Sequence, residues 1–180
     1  MIPIVLDPAR IELALVGRGD RLVHRLRWLE AAGARQGAVY TDQPVAVAAS
    51  LRLVRHLPEA ADLAAYDVVW ITGLAPELAA PLARATRRLG PLVHVDDVRA
   101  LCDVHTPAVV RRGDLLIGIT TGRRSPGLAA QLRRWLDARL GGDRSERLEH
   151  LARARAAWRR RPRARAELAQ PTDPAIDPRS

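Results

Sequence analysis

The chain has 180 residues, enough for one compact core with an added arm and too few for two full-sized domains with separate cores. Hydrophobic residues make up 48% and charged residues 27%, a globular balance, yet Phe is absent and only 4 Trp and 2 Tyr occur, so an aliphatic core is expected. No apolar run approaches the roughly 18 residues of a membrane span, and the N-terminus lacks a signal pattern. A soluble cytoplasmic protein is therefore expected, and the single cysteine, Cys102, excludes an internal disulfide and a Cys-only metal site.

The 29 basic residues are all arginine, a compositional bias that lowers the information carried by any one of them. Their distribution is more telling. Residues 1–110 hold 12 Arg against 12 acids and residues 111–180 hold 17 Arg against 8, so the net charge of +9 resides in the last 70 residues. A basic end attracts an anion: nucleic acid, a membrane surface or a small polyanion.

Ile11 to Val16 is a short apolar run that stops at Gly17-Arg18-Gly19-Asp20, and Leu22, Leu26 and Leu29 then recur at helical spacing up to Gly33. The pattern is strand, glycine turn, helix. Gly37 to Thr41 reads as a second strand closed by Asp42-Gln43-Pro44, and Ala46 to Leu57 as a second helix. Tyr66 to Thr72 is a strongly apolar strand, Pro76 to Leu89 a helix with Pro in its first turn, and Leu92 to Val95 a fourth strand leading into Asp96-Asp97. This alternation predicts an α/β doubly wound parallel sheet over 1 to about 110. Beyond it, Ala108 to Arg111 and Leu115 to Thr120 are strand candidates. Ser125 as N-cap and Pro126 as first helical residue then open a helix with Leu128, Leu132, Leu136 and Leu140 on one stripe. A further helix is expected over Arg144 to about Arg161, and Gln170 to Ser180, with three prolines, reads as a disordered tail.

Gly17-x-Gly19 between strand and helix is half of a dinucleotide fingerprint, since such glycines let a backbone approach a pyrophosphate at a helix N-terminus. The third position holds the bulky Leu22, so an ordinary tight turn is the competing reading. Asp42, after the second strand, could hold a ribose hydroxyl or serve turn chemistry. Asp96 and Asp97 follow the fourth strand, where open α/β sheets place ligands, and one could act as a general base; a loop or cap role is the alternative. His94, Cys102 and His105 lie nearby, but their spacing is irregular and no permanent metal site is expected, with Cys102 read as a small apolar residue. Arg153 to Arg165 carries Trp158 among seven arginines, a pattern better explained by a solvated helix face than by nucleic-acid binding.

In order, Pro3 to Asp7, Val16 to Ala34, Val68 to Gly73, Leu92 to Asp97, Leu101 to Val110 and above all Ile119 to Leu140 (ITTGRRSPGLAAQLRRWLDARL) resemble the N-terminal module of siroheme synthase, the precorrin-2 dehydrogenase and sirohydrochlorin ferrochelatase family. The resemblance implies a Rossmann-like NAD-binding domain over 1–110, a dimerisation and substrate region over 111–143, a helical basic arm over 144–169 and a tail over 170–180. It implies a homodimer that oxidises precorrin-2 to sirohydrochlorin with NAD, and it allows ferrous iron as a second substrate. Cofactor contacts are then expected from Gly17, Arg18, Gly19, Asp20, Arg21, Thr41, Asp42 and Thr72. The central acid/base residue is expected at Asp97, or at Asp96 if the loop is one residue longer. Arg111, Arg112, Arg123 and Arg124 are expected to meet the carboxylates of the tetrapyrrole. Membrane and nucleic acid are not expected partners. Arg18, Leu22, Arg25, Gly73 and His94 depart from the family pattern, so a catalytically degenerate Rossmann dimer that binds a tetrapyrrole or other partner is the alternative.

Overall fold

The computed structural model describes residues 2–140, apart from 49, 114 and 123. The expected helical arm and tail lie outside the described residues. Two compact units divide the chain, Met1–Thr106 and Pro107–Ser180.

The first unit contains a five-stranded parallel sheet with β1 (Leu13–Gly17), β2 (Gly37–Tyr40), β3 (Arg52–Val54), β4 (Val68–Thr72) and β5 (Leu92–Val95) in the order β3-β2-β1-β4-β5. Helix α1 (Gly19–Ala31) follows β1 and helix α2 (Pro76–Arg88) follows β4. Because successive side chains of a strand point to opposite faces, each central strand feeds two cores. Ala14 and Val16 of β1, with Val69 and Ile71 of β4, join Ala79 and Ala83 of α2 in one cluster. Leu13 and Leu15, with Val68 and Trp70, join Leu22, Leu26 and Leu29 of α1 in the other. The doubly wound architecture read from the alternation is therefore present, with aliphatic cores on both faces.

Leu22 shows how a bulky residue is accommodated at the third fingerprint position. It is 1% exposed and packs in the α1 cluster, where it fills space between helix and sheet.

The second helix expected over Ala46–Leu57 is not there. That segment instead ends in the edge strand β3, which pairs parallel to β2 through Ala38↔Arg52, Val39↔Leu53 and Tyr40↔Val54. Pro44 and the β-branched Val45, Val47 and Val54 disfavour helix, and pairing supplies the backbone partners that a short apolar segment beside an open sheet edge needs. Val45, Val47 and Leu53 pack against the α1 cluster, so the apolar spacing reflects burial of an extended chain rather than a helical face.

In the second unit β6 (Ala108–Arg112) and β7 (Leu115–Ile119) form an antiparallel hairpin, followed by α3 (Pro126–Arg139). Ser125 caps α3, its Oγ accepting from the Leu128 N–H at 3.3 Å, and Pro126 occupies the first turn, as the sequence predicts. Arg112 closes the other end of the helix. It donates to Leu140 O at 3.1 Å and Asp137 O at 3.2 Å and pairs with Asp137 Oδ1 at 2.7 Å. A cation on exposed C-terminal carbonyls is favoured by both hydrogen bonding and the helix dipole.

Candidate functional site

Strand order reverses between β1 and β4, and their C-terminal ends meet there: Gly17 is in register with Thr72, and the Arg18 N–H donates to Thr72 O at 3.3 Å. In open α/β sheets this switch point is where the loops diverge and leave a crevice. A Cβ on Gly17 would collide with the Thr72 carbonyl, so only glycine permits the close strand approach. Gly19 differs. It adopts φ +65 and a Cβ there would have nothing within 4 Å, so its backbone faces open space at the N-terminus of α1.

The loops after β1, β2, β4 and β5 contribute side chains. From β2, Thr41 is fully buried, Asp42 forms a two-pronged ion pair with Arg18 that includes Nε to Oδ1 at 2.8 Å, and Gln43 Oε1 accepts from the Gly19 N–H at 2.8 Å. The hydrogen bond from Arg18 outweighs desolvation and holds the Asp42 carboxyl below its ordinary range. From β4, the Thr72 hydroxyl donates to Asp96 Oδ2. From β5 come the adjacent acids, and their surroundings differ sharply. Asp96 also accepts from Arg25 Nη2 at 2.6 Å and sits 3.2 Å from His94 Nε2. Burial alone would raise its carboxyl, but the hydrogen bonds from His94 and Thr72 and the Arg25 guanidinium outweigh that and hold it well below the usual carboxylate range.

Asp97 has φ +63, the one non-glycine residue with positive φ among the described residues, and its side chain is 72% exposed and paired with Arg21 of α1. A left-handed aspartate costs backbone energy. Beside these acids a pocket of about 170 Å³ is lined by Arg21, Gly73, Leu74, Pro76 and Asp96, among others.

The fold thus gathers Gly17, Arg18, Gly19, Asp20, Arg21, Thr41, Asp42, Thr72 and Asp97 at the strand ends, the start of α1 and the adjoining loops of one edge of the sheet. Asp20 lies in the first turn of α1 and is exposed. Arg111, Arg112 and Arg124 belong to the second unit; Arg111 and Arg124 are exposed, whereas Arg112 is engaged on α3, and Arg123 lies outside the described residues. Sequence spacing did not point to Gln43 or Arg25. Both act through partners far along the chain, Gln43 on Gly19 and Arg25 on Asp96 and on Thr106 Oγ1 at 3.2 Å.

A parallel sheet of this order, with a glycine turn at the switch point and a helix starting on it, defines a Rossmann-like domain. The chain belongs to the NAD_binding_7 family, described as "Putative NAD(P)-binding", which matches residues 4–108. It is 30% identical over 162 residues to siroheme synthase of Methylococcus capsulatus (strain Bath), covering 82% of this chain and 34% of that protein. It is 34% identical over 130 residues to siroheme synthase of Pseudomonas putida (strain F1), covering 69% and 28%. The chain therefore spans about a third of the length of these curated relatives. A solved structure described as "SirC, precorrin-2 dehydrogenase" superposes with a TM-score of 0.71 at 18% identity, over 93% of this chain and 85% of that one, which establishes a shared fold. The siroheme synthase resemblance read from the sequence is thus borne out.

Proposed function

We propose that the protein is a precorrin-2 dehydrogenase that uses NAD to form sirohydrochlorin, with ferrous iron insertion as a second reaction of the same site. The observation that carries this reading is the convergence of the glycine turn, Asp42, Thr72 and Asp97 at the strand-order reversal, in a chain that resembles siroheme synthase. The residues fit a dinucleotide once Gln43 is displaced: Gly19 then offers its N–H beside open space at a helix N-terminus, where a pyrophosphate is favoured by backbone donors and dipole. Asp42 would meet a ribose hydroxyl, and Arg18 and Arg21 would add positive charge beside the phosphates. When bound, the nicotinamide accepts the hydride that the substrate loses.

Loss of a hydride from precorrin-2 is balanced by loss of a proton, which needs an accessible base. Asp96 is poorly suited, because both of its oxygens already receive donors from Thr72, Arg25 and His94. Asp97 has an exposed carboxylate oriented by one arginine, and in this reading it takes the proton. Exposed Arg111 and Arg124 would attract the substrate's carboxylates.

One observation favours the second reading, a Rossmann dimer that binds a tetrapyrrole without redox chemistry. Gln43 already occupies the Gly19 donor, and Arg18 already occupies Asp42. Thermal unfolding with increasing NAD separates the two. A ligand selective for the native state must raise the midpoint, by about 2.7 kcal/mol of stabilisation at a hundredfold excess over Kd. No shift at millimolar NAD favours the binding-only reading. Given a shift, Asp97→Ala should lower anaerobic dehydrogenation by about two orders of magnitude or more with NAD binding intact, and Asp96→Asn should do much less. The reverse ranking would move the base to Asp96.

A further inference from the structure

The segment after β5 leaves the strand edge, makes a short 3-10 turn at Arg99–Leu101 and returns alongside β5. Three contacts fix the return: the Asp103 N–H donates to Val93 O at 2.8 Å, the Val95 N–H donates to Cys102 Sγ at 3.3 Å, and His94 Nδ1 meets Val104 O at 2.8 Å. This pairing places Cys102 and His105 beside His94, the same three residues whose irregular spacing argues against a metal site in the sequence. One ligand atom from each of the three residues lies within 4.8 Å of the other two.

We propose that His94, Cys102 and His105 form a site for one borderline divalent cation, Zn²⁺ in the first instance, which clasps the loop that carries Asp96 and Asp97. Two imidazoles and a thiolate match the donor preferences of zinc, and three protein ligands leave a coordination position for water. Hard cations such as Mg²⁺ and Ca²⁺ want oxygen ligands and are excluded by the same set.

The surroundings are those that metal ligands ordinarily need. A ligating histidine commonly donates its other ring N–H to a backbone carbonyl, and with Val104 O on Nδ1 the coordinating atom of His94 is Nε2. Asp96 Oδ1, 3.2 Å from that nitrogen, places negative charge beside the cation. The Val95 N–H already donates to Sγ at 3.3 Å, a backbone contact of the kind that orients a metal-bound sulfur. On loading, the thiol proton and the Nε2 proton that His94 offers to Asp96 both leave to solvent, the Sγ contacts to Val95 O and Val98 O are exchanged for the metal–sulfur bond, and the Val95 N–H stays on sulfur. No redox change is involved. His94 is 5% exposed and the other two are half-buried, so the cation would be held under the loop rather than at the open surface.

Cys102 is the only cysteine of the chain, which gives the test an unambiguous reporter. The full chain, freed of metal with a chelator and kept reduced, is titrated with Co²⁺ alone in the absence of any nucleotide or tetrapyrrole. A thiolate-to-cobalt charge-transfer band saturating at one equivalent is expected, absent in Cys102→Ser and weakened at least about tenfold in affinity in His105→Ala. In the unmodified protein, one equivalent of Zn²⁺ should also slow alkylation of Cys102, a readout that needs no variant to fold. Cobalt binding without the band, a band that survives Cys102→Ser, or an alkylation rate indifferent to zinc overturns the site. None of these results depends on NAD binding or dehydrogenation.

Discussion

At the scale of single residues, Gln43 is the most consequential side chain at the glycine turn. Its amide oxygen accepts the Gly19 N–H, one of the α1 N-terminal donors to which a pyrophosphate oxygen is drawn in the proposed complex. Any anion that uses this donor must displace Gln43. A neutral hydrogen bond of this kind has a net value of about 1 kcal/mol, so Gln43→Ala should tighten NAD binding about fivefold by calorimetry. An unchanged or weaker affinity would show that the amide does not compete with the cofactor. The glycines and the two aspartates could be found in the sequence because each lies at or just beyond the end of an apolar strand, where position alone predicts the sheet edge, whereas Thr72 is marked only by the family resemblance. Gln43 and Arg25 could not, because their roles come from partners 24 and 71 residues away. Nor does position distinguish the two adjacent acids. Only folded coordinates show that one is enclosed by donors and the other stands in left-handed backbone at the rim.

At the scale of elements, α1 is fastened to the end of β5 by Arg25. The guanidinium pairs with Asp96, with both side chains only 15% and 17% exposed, and its Cζ lies 5.3 Å from the Trp28 ring centroid. Removing one charge from so enclosed a pair leaves the other without compensation. Asp96→Asn should therefore cost on the order of 3 kcal/mol in urea denaturation, the low end for a broken buried pair because some solvent still reaches it. Adding Arg25→Met to that variant should recover part of the loss, since no uncompensated charge remains. Purely additive losses in the double variant would show that the pair is not coupled. The segment that ends in β3 is too short for its pattern to declare its type. Its apolar residues fall at spacings compatible with either a short helix or an edge strand, and a three-residue strand owes its existence to β2 rather than to its own propensity. Longer elements carried enough pattern to be recognised: the leucines of α1 and the Ser-Pro opening of α3 both appear where the sequence predicts.

For the molecule as a whole, the division of charge and the exposed face of α3 bear on assembly. The first unit is nearly neutral and holds the residues proposed to meet the cofactor, while the second carries the hairpin, α3 and the arginine excess of the chain's last 70 residues. On α3, Ala129 is buried and Leu136 half-buried, whereas Leu128, Leu132 and Trp135 remain 48%, 40% and 50% exposed. Large apolar side chains clustered on one helix incur a hydration cost that a partner surface would relieve. A second copy is the occupant that the siroheme synthase resemblance implies. Self-association through this stripe would bury it against its symmetry mate, and a two-fold interface presents the same patch from both sides. Sedimentation at micromolar concentration should then give twice the 19.8 kDa chain mass. Leu132→Glu with Trp135→Glu should shift the population to monomer, because four carboxylates would face one another across the two-fold axis, while leaving the unfolding midpoint of the first unit near its original value. A chain that sediments only as a monomer before substitution would remove the dimer, and with it the dimerisation role assigned to residues 111–143. A dimer untouched by both charges would instead move the interface off α3.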